Sequence, residues 1–287
     1  MTATRTLGPI DKPLLICGGA YGNLEAFEAL ITRAETLNIP THRIIHTGDV
    51  IAYCADARAT AERVRELGLL SIRGNVEDQL AEDADDCACG FQAGSACDVL
   101  ARSWYAHARG QMTDELSTWM AELPRHITFS MSGKRVRVVH GSPGQVNRFM
   151  WDSLPSADFA GEIGQACADV VIAGHTGLPF TRTLPDGRVW HNSGGLGMVA
   201  NDGTPRVWFA VMTPGRNGPE FTHYALDYDH GLAARKMRDA GLPEGYANAL
   251  ETGLWPSLDI LPETESARTG QAIDLDALNG RSGQAAA

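Results

Sequence analysis

No stretch of this 287-residue chain approaches the roughly 18 consecutive apolar residues that a membrane-spanning helix requires. The first ten residues, MTATRTLGPI, also lack the uninterrupted apolar segment of an export signal. A cytoplasmic location is therefore expected, and a membrane partner is not. Basic residues are in short supply: 24 Lys and Arg face 35 Asp and Glu, for a formal net charge of -11. Following a phosphate backbone needs clustered Lys and Arg, so no nucleic-acid partner is expected. A small phosphorylated substrate is not excluded, because a bound metal ion supplies local positive charge. Cysteine is sparse as well. Cys17, Cys54, Cys87, Cys89, Cys97 and Cys167 are too few for a disulfide scaffold in a chain this long. In a reducing compartment they are free thiols, packing residues or metal ligands. Cys87-Ala88-Cys89 followed by Cys97 lacks the paired C-x-x-C spacing of a strong zinc motif.

What the chain does contain is an ordinary globular composition, 44% hydrophobic and 21% charged. PLLIC at 13–17 is an apolar run that ends at Gly18-Gly19. Leu24, Phe27, Leu30, Ile31 and Leu37 then fall broadly on one side of an amphipathic helix. A run at 42–47 ends at Gly48-Asp49, a helix is predicted over 56–66, and a strand over 69–73 ends at Gly74-Asn75. Strand, polar turn and helix in repetition predict parallel strands joined by crossover helices. Trp104, Tyr105 and His107 fall in a further predicted helix and read as core.

The second half is richer in strands. A hairpin is expected over 127–140 around Ser132-Gly133-Lys134, and a buried strand at 170–173 ends at Gly174-His175. Strands at 180–184, 189–191, 206–212 and 220–226 and a helix over 232–239 follow. A second sheet facing the first is expected, within one domain spanning 11–262. The remaining residues are rich in Gly, Ala, Ser, Thr and acids, which predicts a flexible tail over 263–287.

Four strand ends carry donor atoms: Asp49, Asn75, His140 and His175. In α/β sheets, ligands bind beyond the carboxyl ends of the strands, where loops converge. A carboxylate, an amide oxygen and two imidazoles suit one divalent ion, and Zn, Mn and Fe all accept such mixed donors. Taken singly, each residue reads more readily as a turn residue or a satisfied polar group. It is the series GD, GN, HG and GH, each after an apolar run, that points to a metal site.

These strand ends resemble the calcineurin-like metallophosphoesterases, in particular their compact bacterial branch, over about residues 13–241. That family is organised around five blocks: DxH, GDxx, GNH followed by an acid, an isolated His after a strand, and GHxH. The resemblance implies an α/β fold, a four-layer αββα sandwich of two mixed β-sheets flanked by helices. It also implies metal-dependent hydrolysis of a phosphoester. Gly48-Asp49 matches the second block and Gly74-Asn75-Val76-Glu77 the third. His140, in VVHGSP, matches the isolated His, and Gly174-His175-Thr176-Gly177 matches the last block. All four ligands of one metal position are thereby implied.

The other position departs from the pattern. Where the first block would read Asp-x-His, this chain has Gly19-Ala20-Tyr21, followed by Gly22-Asn23, and the second His of the last block is Gly177. Only Asp49, the bridging carboxylate of the family, remains. Val76 stands where the family has a His that assists at the substrate phosphate. One divalent ion, Zn, Mn or Fe, is implied, and not an ordinary second one. Losing the second ion removes the bridge that activates water in two-metal hydrolysis, although a single ion still polarises a phosphoryl oxygen.

Three functions stay open on this basis: a divergent phosphoesterase acting on a small phosphorylated compound, a non-catalytic metal- or ligand-binding protein, and an enzyme whose cysteines supplement the metal site. Tyr21, Asn23 and Arg148 are the expected substrate-binding residues. Between Gly74 and Ala101 there are seven acids and no Lys or Arg. Cys87, Cys89 and Cys97 fall there, and Cys54 follows Asp49 by five residues. They are metal ligands, a nucleophile, or packed thiols of an acidic surface loop. Asn192-Ser193-Gly194-Gly195 is expected as a structural turn behind the site. A homodimer is the expected assembly on general grounds.

Overall fold

The computed structural model describes residues 4–281. The first half supplies β1 (Thr4–Pro9), β2 (Leu14–Cys17), α1 (Leu24–Thr36), β3 (Ile44–His46), α2 (Ala57–Leu67) and β4 (Leu70–Ser71). Three helices follow, α3 (Asn75–Ala81), α4 (Ala96–Arg109) and α5 (Asp114–Glu122), before the hairpin of β5 (His126–Met131) and β6 (Lys134–Val138). Beyond α6 (Ser156–Gln165) come β7 (Val170–Ala173), β8 (Pro179–Thr183), β9 (Val189–Ser193), β10 (Val207–Pro214) and β11 (Pro219–Leu226). The chain closes with α7 (His230–Asp239), α8 (Glu244–Thr252), α9 (Glu263–Ser266) and α10 (Leu275–Arg281).

The strands form two sheets, ordered β11-β10-β2-β3-β4 and β1-β5-β6-β7-β9-β8. Both are mixed: β2, β3 and β4 run parallel with β10 antiparallel beside β2, and β6, β7 and β9 run parallel between antiparallel neighbours. Side chains alternate across a strand, so each strand of a central sheet feeds two cores. In β2, Leu14 and Ile16 pack between the sheets with Ile45, Val138 and Ile172. Its Leu15 and Cys17 point the other way, into the layer of α1, α2 and α4 with Phe27, Val64 and Trp104. On the far side, Val171 and Trp190 pack with Phe159 and Ile163 of α6. Helix, sheet, sheet, helix is the four-layer αββα arrangement the resemblance implied. Trp104 and Tyr105 are buried, as the helical spacing required. No helix of the described residues is long and apolar enough to cross a membrane.

Three sequence expectations need correction. The strand over 69–73 is reduced to two residues, because the Arg73 N–H turns away to the Pro124 carbonyl at 3.0 Å and leaves the ladder. β1 was not anticipated. Its residues are mostly exposed, so it pairs with β5 at a sheet edge without a hydrophobic signature. The flexible tail is the third. Over 263–281 the chain packs down, with Leu278 buried beside Trp208 and Ala200. The Asn279 side chain accepts from the His223 N–H at 2.7 Å and donates to the His223 carbonyl at 3.2 Å. That amide mimics one rung of a further strand on the outer edge of β11. Too few apolar residues carry this segment for periodicity to reveal it. Residues 282–287 lie outside the described residues.

Two histidines from opposite sheets, His191 on β9 and His223 on β11, are fully buried with ring centroids 4.8 Å apart. His191 stacks on Phe221, and its Nδ1 lies 2.9 Å from Thr181 Oγ1. Burial holds His191 well below the ordinary imidazole range and brings His223 down to about 4, against a partial upward pull from the Asn192 carbonyl. In the unfolded chain both titrate near 6.5. Below that value the unfolded chain binds more protons, so stability is lost as pH falls from 6.5 towards 4. His223 alone accounts for roughly 3 kcal/mol of this loss. The expected outcome is a urea midpoint that drops across this window, with a measurably shallower drop in His223→Gln. Equal slopes for the two proteins would refute the assignment.

Candidate metal centre

The carboxyl ends of β2, β3, β4, β6 and β7 open onto one place. Each strand is short, and glycine or a polar residue follows within three residues of its end, so the backbone turns there and presents a side chain. Asp49 follows β3, Asn75 opens α3 after β4, His140 follows β6, and His175 follows β7. Asp49 and His175 hold φ of 60° and 56°, a region that costs an L residue about 1–2 kcal/mol. Such strain persists where surrounding bonds over-determine the backbone, and it clusters at functional sites. A Cβ at position 74 would collide with Asp49 Oδ1 and lie 2.8 Å from the His140 ring, so only glycine lets these two loops close.

The four side chains converge on a single atom. His140 Nε2 lies 3.1 Å from Asn75 Oδ1, 3.1 Å from His175 Nδ1 and 3.2 Å from Asp49 Oδ2. His140 Nδ1 is 2.6 Å from the Thr47 carbonyl, which only accepts, so this nitrogen carries the proton of the neutral ring. The Asn75 amide nitrogen donates to the Cys87 carbonyl at 2.8 Å, which turns its oxygen inward. A neutral His140 therefore directs a lone pair at a carboxylate, an amide oxygen and an imidazole. The carboxylate and the amide oxygen only accept, so toward them the centre calls for a cation or a second proton. One donor atom each from Asp49, His140 and His175 lie within 4.8 Å of one another. This donor set fits a divalent ion of the Zn, Mn or Fe type.

Charge within the cluster follows the same geometry. Burial opposes ionisation of Asp49, but His140, His175 and the Val76 N–H together hold its carboxyl below the usual range. Burial also opposes a charged His140, yet Asp49, its hydrogen bond and Thr47 leave its pKa raised. His175 goes the other way, down to about 3, through burial and repulsion from His140. Beneath the cluster, Glu77 is fully buried and accepts three backbone N–H bonds: from Asp49 at 2.8 Å, Val50 at 2.7 Å and Gly74 at 2.7 Å. Its carboxyl is pushed up by burial and by Asp49, and the N–H groups act against that push. Asn192, near the end of β9, donates to the Gly174 carbonyl at 2.8 Å and supports the His175 turn.

Beside this cluster lies the aromatic ring of Tyr21. A Cβ at position 19 would overlap the edge of the Tyr21 ring at under 3.0 Å, so Tyr21 fills the space a side chain at 19 would occupy. Tyr21 holds φ of 53° and is buried. It lines a cleft that runs from Asp49 and His175 past Val76, Tyr53, Phe149 and Trp255. Among the described residues no Lys or Arg lines this cleft. Phe149 lies 4.3 Å from the His175 ring and stacks on Trp151.

Two of the expected substrate-binding residues, Asn23 and Arg148, do not line this cleft. Asn23 is the N-cap of α1: its oxygen accepts from the Ala26 N–H at 3.1 Å, and its amide donates to the Gly197 carbonyl at 3.0 Å. Its polar groups are consumed in holding the loop, as capping residues are. Arg148 pairs with Glu162 and Asp158 of α6. Phe149, the next residue, takes the inward place instead. Of the cysteines, Cys54 is buried with its sulfur 3.7 Å from the Gly197 carbonyl, and it does not line the cleft, whereas Cys89 and Cys97 do. Cys87 and Cys89 are not free thiols but a disulfide: Ala88, at φ of 48°, doubles the chain back and brings them together. The structural role of Glu77 and the wall formed by Phe149, Tyr53 and Trp255 were not anticipated. The alternation of Phe149 and Trp151 after VVHGSP was the available signal.

A family model of the calcineurin-like phosphoesterase superfamily domain matches residues 21–215. An uncharacterized protein of Methanocaldococcus jannaschii is 23% identical over 259 residues, covering 85% of this chain and 99% of the relative. Among solved structures, a hypothetical protein from Pyrococcus horikoshii OT3 superposes with a TM-score of 0.71 at 15% identity, over 85% of this chain and 99% of the other. A metallophosphoesterase from Sphaerobacter thermophilus does so with a TM-score of 0.66 at 23% identity, over 85% and 100%. These two likenesses show the shared fold. The family match spans β3 to β10 and takes in Asp49, Asn75, His140 and His175. The chain belongs to the calcineurin-like phosphoesterase superfamily.

Proposed function

We propose that the protein is a one-metal phosphoesterase of the cytoplasm, acting on a small ester with an apolar or aromatic leaving group. The observation that carries this reading is the convergence of Asp49, Asn75 and His175 on Nε2 of His140. Those four residues would hold the ion. When bound, it would polarise a phosphoryl oxygen and lower the pKa of a water, the two functions a single ion can supply. Glu77 keeps the Asp49 and Asn75 loops in register, and the aromatic walls exclude bulk water from the reacting group. Tyr21 lines the cleft and offers its ring face to the leaving group. With no basic side chain on the cleft, highly charged polyphosphates lack partners, while aromatic walls favour a flat apolar group. Val76 has no proton to give a leaving oxygen, so esters with good leaving groups are favoured.

The Tyr21 ring, filling the space of a side chain at position 19, favours one alternative: a non-catalytic protein that binds metal or ligand on the inherited scaffold. Metal content and turnover separate the two.

Purified protein supplied anaerobically with Mn, Zn or Fe is expected to retain about one ion per chain, lost on dialysis of His140→Ala. It is expected to hydrolyse p-nitrophenyl phosphoesters in preference to pyrophosphate. Ion binding without turnover on any ester would select the binding-protein alternative, and no ion at all would end both metal readings. A second expectation concerns Tyr21. Gly19→Asp alone is expected to destabilise the fold by about 2 kcal/mol through the clash with the ring. Gly19→Asp combined with Tyr21→His should recover most of that loss, a coupling readable by denaturant titration. Simple additivity of the two changes would show that Tyr21 does not fill that space.

A further inference from the structure

Cys87 and Cys89 are bonded across one residue, with Cα atoms 5.3 Å apart, inside the range disulfides span. Ala88 between them sits at φ of 48°, a left-handed conformation that an L residue adopts under constraint. Two amides fasten this small loop to the site. Asn75 Nδ2 donates to the Cys87 carbonyl at 2.8 Å and lies 3.5 Å from the Cys89 sulfur. Asn147 Nδ2 donates to the Ala88 carbonyl at 2.9 Å. The same Asn75 amide that turns its oxygen toward His140 is thus held by the bonded loop. The pair also borders two openings. Cys89 lines the cleft that contains Asp49 and His175, and both cysteines line an outer cleft with Asp85, Asp86 and Asp98.

We propose that Cys87 and Cys89 form a two-electron dithiol/disulfide site whose state sets the orientation of Asn75 in the metal cluster. The reagent is a small neutral dithiol. Its thiolate attacks one sulfur of the pair and forms a mixed disulfide, and its second thiol displaces the protein sulfur. Two electrons and two protons pass to the protein, which keeps two thiols, and the reagent leaves as a cyclic disulfide. The reverse exchange closes the bond. Opening it frees Ala88 from its left-handed conformation and releases the Cys87 carbonyl that holds Asn75. By linkage, whatever the redox state does to Asn75, Asn75 does to the redox equilibrium. Carboxylates around the outer cleft disfavour a reagent with further negative charge, so a dithiol whose only charge is its attacking thiolate exchanges faster. The consequence for the cation rests on the one-metal reading above.

The full-length protein is equilibrated anaerobically across ratios of reduced to oxidised dithiothreitol, quenched by alkylation, and the peptide carrying both cysteines is weighed. Its two labels are expected to appear together. Asn75→Asp keeps an oxygen and removes the donor to Cys87, and it is expected to shift the exchange equilibrium by about threefold or more, with Asn75→Ala as a second test. Wild-type affinity for Mn2+ is expected to differ by about tenfold between the two states. That difference should vanish in Cys87→Ser/Cys89→Ser and persist in Cys167→Ser. Labels present in fully oxidising buffer, or an equilibrium indifferent to both Asn75 substitutions, would overturn the proposal. Were Mn2+ to bind in neither state, the one-metal reading would fall separately, because the Asn75 shift is measured without any metal.

Discussion

The carboxylate of Glu77 is the constraint on which the rest of the site depends. Buried, and receiving the N–H groups of Asp49, Val50 and Gly74, it joins the loop after β3 to the loop after β4. Hydrogen bonds to a charged group are worth about 1.5–3 kcal/mol each, and a buried partner left unmade costs the desolvation of that group. Asp49 can hold its left-handed backbone because its N–H is claimed from below. Asn75 can open α3 because Gly74 is claimed by the same oxygen. With those two loops in place, β6 and β7 need only deliver His140 and His175 from the second sheet. The site is in this sense a seam between the two sheets.

That seam also explains how Gly19, Tyr21 and Gly177 can depart from the pattern the sequence resembles while Asp49, Asn75, His140 and His175 stay clustered. The clustered residues sit on the Glu77-bound loops and on the strand ends of the second sheet. The departures belong to the loop after β2 and to position 177. The loop after β2 is held by other means: Tyr21 N–H on the Asp49 carbonyl, Gly22 N–H on the Val50 carbonyl, and the Asn23 cap. A carboxylate at position 19 is therefore not needed to support that loop. The ring of Tyr21 fills the volume a side chain at 19 would take, so the packing stays close.

Much of the fold was legible because β2, β3 and β7 are apolar runs stopped by glycine, and α1 carries a clear helical period. Asp49, Asn75 and His175 were legible for a related reason, since a glycine after a strand precedes each, while His140 stood out as a lone imidazole followed by glycine. What escaped the sequence was pairwise. That Asn23 caps a helix and Arg148 faces α6 depends on which partners the fold supplies, and a residue type does not state its partner. β1, mostly exposed, has no buried face to announce it. The cysteine pair escaped because spacing alone does not show that Ala88 reverses the chain. The acidic loop was noticed for its charge, when its contacts with Asn75 and Asn147 are made by backbone carbonyls that every sequence has.

The clasp of Asn279 on β11 has a further consequence. β11 closes one end of its sheet, and an uncovered strand edge offers a template to any other chain in extended conformation. By occupying both backbone groups of His223, the last helix acts as a stopper against strand-by-strand growth. A chain clipped ahead of α10 would keep Asp49, Asn75, His140 and His175 and lose that stopper. Its failing would be colloidal rather than catalytic: a folded molecule prone to stack edge to edge.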